Sequence, residues 1–202
     1  MLKRHIDTDP ESAHSYSDEE LLQSLQDGEG EVAFSQLVQR HNQRFYGLAY
    51  RIVGRKDVAE DIVQEAFIRL WRDPYKFSGI RGAKFTTWFY RIVTNLALDV
   101  QRRDKRRSRT VDVAEMEDLQ DESLLPDQQR QLDDISAGLQ VALRKLPLRQ
   151  QVAIELHYFD SLSQRDAAYV MQLSEKAYQS LLHRGKQQLK RILPSDMLVG
   201  TS

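Results

Sequence analysis

One stretch, residues 84–109 (KFTTWFYRIVTNLALDVQRRDKRRSR), constrains the fold of this chain more than any other. Phe85, Trp88, Phe89, Ile92, Val93, Leu96 and Val100 recur at helical spacing, which predicts one long helix with a packed aromatic side. Arg91, Asn95 and Asp99 follow one another at i, i+4 on the other side. The helix ends in a dense basic cluster. Such a helix suits an unpaired nucleic-acid strand, whose bases need π-faces and hydrogen-bond partners and whose phosphates need cations. The aromatic set Phe85, Trp88, Phe89 and Tyr90 also fits a plain core, and Trp88 and Phe89 are assigned to it. The basic end also fits a solvated helix C-terminus.

Charge supports the first reading. The 202-residue chain has a net charge of −1, so it is not a uniformly basic binder. Residues 102–109 hold six bases (Arg102, Arg103, Lys105, Arg106, Arg107, Arg109) against Asp104 alone. Residues 110–134 hold nine acids against Arg130 alone, a local charge of −8. A near-neutral total thus hides a basic patch followed by an acidic stretch, an asymmetry that points to nucleic acid. There is no cysteine, which excludes disulfides and thiolate metal sites. No apolar run approaches a membrane span, and the N-terminus has no signal-peptide core. The chain is therefore expected to be soluble and cytoplasmic, with no membrane insertion.

Few glycines and prolines and no alternating strand pattern predict an all-α chain of two small helical domains joined by an acidic flexible linker. Residues 1–16 read as a loose tail. Ser17 and Glu20 form a capping-box pattern ahead of Leu21, Leu22 and Leu25. A second helix is expected over about 31–53, stopped by Gly54. A third opens at a capping box of Asp57 and Glu60, with Val58, Ile62, Val63, Ala66, Phe67, Leu70 and Trp71 as its apolar stripe. Pro74 and Gly79 mark a loop before the aromatic helix. Residues 17–109 make the first domain and 110–134 the linker. Residues 135–193 make the second domain, with helices near 135–145 and 148–158, and residues 194–202 a tail.

The second domain closes on a helix-turn-helix pattern. Ser163 caps a short helix with Asp166 at its third position. Ala167, Ala168 and Val170 allow a close crossing. Residues 171–173 turn the chain, and Ser174 caps a helix that buries Tyr178, Leu182, Gly185 and Leu189. Its other side offers Lys176, Gln179, Ser180, His183, Lys186 and Gln187, a polar face that fits the major groove. The plainer alternative is a helical hairpin with a solvated face.

Other clusters carry less. Asp57, Glu60, Asp61, Gln64 and Glu65 form an acidic helix face, read either as a solubilising surface or as a dock for a basic partner. His41, His157 and His183 lack metal-ligand spacing. No nucleophile–base set, phosphate loop or nucleotide fingerprint is present, so no catalytic residue, metal, cofactor or small-molecule substrate is expected. Two rivals remain: a stand-alone dimeric regulator using only the helix-turn-helix, and a helical metalloenzyme ligating through Asp57, Glu60, Asp61 and Glu65.

With these residues in view, the chain resembles a bacterial RNA polymerase sigma factor of the extracytoplasmic-function group, over about residues 18–193. Four segments carry the resemblance: FSQLVQRHNQRFYGLAYRIVG, DVAEDIVQEAFIRLW, FTTWFYRIVTNLALDVQRRDKRR and LPLRQQVAIELHYFDSLSQRDAAYVMQLSEKAYQSLLHRGKQQLKR. The resemblance implies a transcription initiation factor that is not an enzyme. It implies that Asp61, Gln64 and Glu65 contact the clamp helices of the polymerase largest subunit. It implies that Tyr75, Phe77, Lys84, Arg91 and Asn95 read the −10 element, with Asn95 at a pocket for a base flipped from the non-template strand. Arg102, Arg103, Arg106 and Arg107 would hold the backbone just upstream. Lys176, Gln179, Ser180, His183, Arg184 and Lys186 would read the −35 element. It further implies an anti-sigma partner, which could hold the factor at the inner membrane face. Two departures stand out. Relatives commonly have Ser-Arg in the recognition helix where this chain has Ser180-Leu181, and the loop 73–84 is slightly long.

Overall fold

A computed structural model of the chain describes residues 16–27, 30–77, 84–110 and 138–193. Among these residues every regular element is helical. They fall into two compact units, and α4 leaves the first at Ala97. The helices are α1 (Asp18–Gln26), α2 (Gly30–Val53), α3 (Lys56–Arg72) and α4 (Phe85–Thr110), with a 3-10 turn at Pro74–Phe77 between the last two. Then come α5 (138–144), α6 (Leu148–Ile154), α7 (Gln164–Val170) and α8 (Glu175–Ile192). The expected linker at 110–134, the loop at 78–83 and both tails lie almost entirely outside the described residues.

The first unit begins with the expected capping box. The Ser17 hydroxyl accepts from the Glu20 amide, and the Glu20 carboxylate accepts from the Ser17 amide at 2.8 Å. Both satisfy amides that the helix leaves open. Gly54 ends α2 in the left-handed region, with φ 76°, a conformation that favours glycine. The capping box expected at Asp57 is absent. Arg55 is the N-cap of α3 and makes no side-chain cap bond, so Asp57 falls inside the first turn. There its charge faces the positive end of the helix dipole.

Aromatic rings make the core. Phe45 of α2 lies 4.6 Å from Phe89 and 4.9 Å from Tyr90 of α4, and Phe67 of α3 lies 4.7 Å from Phe89. Phe85, Phe89 and Tyr90 are almost fully buried and Trp88 nearly so. The aromatic face of α4 is therefore core along its first two turns. Trp71 corrects the expected α3 stripe. It is 45 % exposed, as Ile68 is 41 %, while Ile62, Val63, Ala66, Phe67 and Leu70 are buried.

In the second unit α5 ends before Leu146 and Pro147 as expected, and Pro147 caps α6. The single helix expected at 148–158 instead changes to a π-helical turn over Glu155–Phe159. Tyr158 in that turn is half exposed. α8 packs on α6 at Gly185. A Cβ there would stand 3.2 Å from Ile154 Cδ1 and 3.3 Å from the Gln150 carbonyl oxygen. Tyr178 and Leu182 are buried as expected, whereas Leu189 is only partly covered.

Candidate nucleic-acid interface

The helix-turn-helix is assembled by its caps. The Ser163 hydroxyl accepts from the Asp166 amide at 3.1 Å and donates to its carboxylate at 2.6 Å. The Ser174 hydroxyl accepts from the Ala177 amide at 3.2 Å. Between them the turn is closed by Gln172 in the left-handed region, φ 54°. Ala167, Ala168 and Val170 are buried. Tyr178 anchors α8 by donating its hydroxyl to the Ala153 carbonyl at 2.8 Å. Burial, with Tyr158 second, pushes that phenol well above its ordinary range, so it stays a neutral donor.

With one side so anchored, α8 turns Lys176, Gln179, Ser180, His183, Arg184 and Lys186 outward, and all six are exposed. They lie along one face by helical spacing. Leu181 sits off this face and is half-buried. The Nε of Arg184 donates to the Ser180 carbonyl at 3.2 Å. Ser180 donates to the Lys176 carbonyl at 3.0 Å, and Gln187 and His183 share a contact of 2.9 Å between their Nε2 atoms. Lys186 lies 5.4 Å from the Tyr158 ring centre.

On α4, Arg91, Asn95, Arg102 and Arg106 fall on one face at spacings of four, seven and four residues. Arg91 and Asn95 are partly covered, and Arg102, Arg103, Lys105, Arg106 and Arg107 are exposed. Asp99, on the same line, lies 3.3 Å from Arg102. That exposed pair is weak. Lys84 is exposed just before the helix. Tyr75 is 61 % exposed, but its hydroxyl donates to the Gln26 carbonyl at 2.5 Å. Gln26 in turn donates to the Pro74 carbonyl at 2.9 Å. Tyr75 is thus held at the end of α1. The backbone of Phe77 closes the 3-10 turn, and its side chain lies outside the described residues.

The acidic face of α3 is where the spacing put it. Asp57, Glu60, Asp61 and Gln64 are exposed, and Glu65 is paired with Arg69 at 2.8 Å. Among the described residues, no three His, Asp or Glu side chains come together as metal ligands, and no helix is long and apolar enough to cross a membrane.

Sequence reasoning missed a cluster that fixes α1. The Asp18 carboxylate meets the buried His41 ring at 2.8 Å and Arg40 at 2.6 Å. Burial raises the Asp18 pKa, but the hydrogen bonds from His41 and Arg40 outweigh it and hold the carboxyl below its ordinary range. The signal available was His41 on the apolar side of α2. Arg44, likewise, hydrogen-bonds the Tyr90 hydroxyl and lies over its ring.

A helical unit carrying an aromatic, basic-ended helix, together with a capped helix-turn-helix, defines a two-part DNA-reading protein. Comparison with known proteins gives the family. Residues 37–108 match the Sigma-70 region 2 family and residues 136–189 the Sigma-70, region 4 family. The chain is 31 % identical over 168 residues to the ECF RNA polymerase sigma factor SigW of Bacillus subtilis, spanning 80 % of this chain and 89 % of that one. It is 30 % identical over 183 residues to the RNA polymerase sigma-H factor of Pseudomonas aeruginosa, spanning 87 % and 93 %. Its fold matches CnrH, solved in complex with the cytosolic domain of CnrY, with a TM-score of 0.63 at 24 % identity over 89 % and 98 % of the two chains. The chain belongs to the extracytoplasmic-function group of the sigma-70 family, the RNA polymerase initiation factors.

Proposed function

We propose that this sigma factor divides its work among three surfaces. The outer face of α3, through Asp61, Gln64 and Glu65, binds the clamp helices of the largest polymerase subunit. The α4 line of Arg91 and Asn95, with Lys84, Tyr75 and Phe77 before it and Arg102, Arg103, Arg106 and Arg107 beyond, holds the opened −10 strand. The α8 face of Lys176, Gln179, Ser180, His183, Arg184 and Lys186 reads the −35 duplex. Residues 17–109 and 135–193 act as the two reading domains, with 110–134 joining them. The protein performs no covalent chemistry. It works in the cytoplasm, and an anti-sigma factor keeps it from polymerase. The fold neighbour RpoE of Bartonella quintana was solved with the anti-sigma factor NepR, which is in keeping with such a partner.

The observation that carries this reading is the α4 line. Arg91 and Asn95 carry groups that can meet an unstacked base, and the exposed arginines can meet phosphates. Unstacking one base costs a few kcal/mol, which stacking and hydrogen bonds in a pocket must return. The test is run-off transcription with purified bacterial core polymerase on a pool of promoter fragments. Defined transcripts are expected only when both proteins are present. Asn95→Ala is expected to reduce them about tenfold or more, the loss of one to three kcal/mol that an unmet hydrogen bond brings. Binding of duplex DNA without polymerase, and no transcripts with it, would favour a stand-alone regulator.

A further inference from the structure

Two side chains on the outward face of α8 act on each other. His183 and Gln187 are four residues apart, the spacing that brings side chains on a helix surface together. Both are exposed. They meet through their Nε2 atoms at 2.9 Å.

That contact has a definite chemistry. The nitrogen of a carboxamide donates hydrogen bonds and accepts none. Gln187 is therefore the donor, and Nε2 of His183 offers a lone pair. A neutral imidazole with one bare nitrogen carries its proton on the other, so His183 holds the Nδ1–H form. Among the described residues, Nδ1 has no protein partner. It is left for whatever lies against α8. Without the amide, the ring could carry its proton on either nitrogen, and Nδ1 would be a donor in one form and an acceptor in the other.

We propose that Gln187 sets the tautomer of His183 and so makes His183 a hydrogen-bond donor to one base of the −35 duplex. The proposal rests on the reading of α8 as the −35 reader. In the major groove guanine N7 and O6 and thymine O4 accept, whereas cytosine shows only its N4 donor. An Nδ1–H group thus selects guanine or thymine and rejects cytosine. The other tautomer would accept from cytosine instead. Gln187 is a positioning residue in this scheme: it fixes what His183 offers without touching the base itself. Its role resembles that of the outer partners that fix the ring form of a metal-bound histidine.

The test is run-off transcription by the full chain and core polymerase on promoter fragments that share one −10 region and are randomised through the −35 region. Transcript counts give the base preference at each −35 position. The parental chain is expected to favour guanine or thymine over cytosine about tenfold at one position, within the range of a single mismatched pair. His183→Ala should abolish that preference and leave the other positions as they are. Gln187→Leu, which removes the donor, should cut it to about threefold or less. Gln187→Lys, which supplies a donor and no acceptor, should keep it at the parental level, while its charge raises binding to all sequences alike. Circular dichroism checks each fold. A parental preference in Gln187→Leu, or a reduced one in Gln187→Lys, would overturn the role of Gln187. A parental preference at every position in His183→Ala would overturn it too, and an altered preference in Gln179→Ala would then leave α8 standing as the reader. No −35 preference in the parental chain would remove the α8 reading itself.

Discussion

Asp18 shows how a single residue ties local to tertiary structure. It stands in the first turn of α1, where a negative charge suits the helix dipole, and it also joins α1 to α2 through His41 and Arg40. Its carboxyl is held below the ordinary aspartate value of 3.8. A carboxyl with a depressed folded pKa stabilises the fold at any pH above its unfolded value, and that contribution is lost as pH falls through the folded one. Resistance to urea is therefore expected to be insensitive to this group above about pH 5 and to decline below about pH 4, near the unfolded value. Asp18→Asn should lower stability at neutral pH and flatten the acid decline. A parental acid limb in that variant would show that the cluster contributes nothing. Capping at Ser17, Ser163 and Ser174 was legible because it is encoded within three residues. The Asp18–His41 contact was not, because it spans 23 residues of sequence and depends on how α1 lies on α2.

At the scale of elements, helix boundaries followed local chemistry and failed where packing intervened. Gly54 and Pro147 punctuate the chain as their backbones require. The single helix expected at 148–158 gives way to a π-helical turn, and nothing in its apolar spacing marks that change. Trp71 fits the i+4 spacing from Phe67, yet the Phe34 ring packs against it edge-on and it stays half exposed. The α6–α8 crossing depends on Gly185, which has no room on its α6 side. Gly185→Val is expected to destabilise the second unit by about 1–3 kcal/mol through overpacking. Thermal denaturation measures this directly, and an unchanged midpoint would mean that α8 can shift without cost. Because α8 carries the proposed −35 face, the same variant should weaken −35-dependent transcription even at temperatures where the fold survives.

For the whole molecule, the sum of charge says little and its placement says much. A net charge of −1 covers a cationic α4 end, an acidic α3 face and the −8 stretch that follows α4. In the proposed scheme the first block faces phosphate and the second polymerase, while the third is itself the segment that joins the two domains. Phosphate contacts release counterions, with a slope of about 0.7 per contact in single strands. Replacing Arg106 and Arg107 with alanine is therefore expected to reduce the magnitude of the salt dependence of holoenzyme–promoter binding by roughly 1.4. An unchanged slope would mean that these two cations do not touch the backbone.

The sequence by itself determined the class of the chain. Helical periodicity, serine caps and charge blocks act over a turn or two, so they identify the helices, the helix-turn-helix and the basic end of α4 without any knowledge of their neighbours. The order of the four family segments then fixed the sigma-factor reading. Only the tertiary structure decided which of those periodic residues are spent in the core. It placed Phe85 and Tyr90 there beside the expected Trp88 and Phe89, joined Asp18 to His41 and Arg44 to Tyr90, and left Ile68 and Trp71 facing outward. Burial is a property of what lies opposite a side chain, and what lies opposite is brought there by parts of the chain tens of residues away.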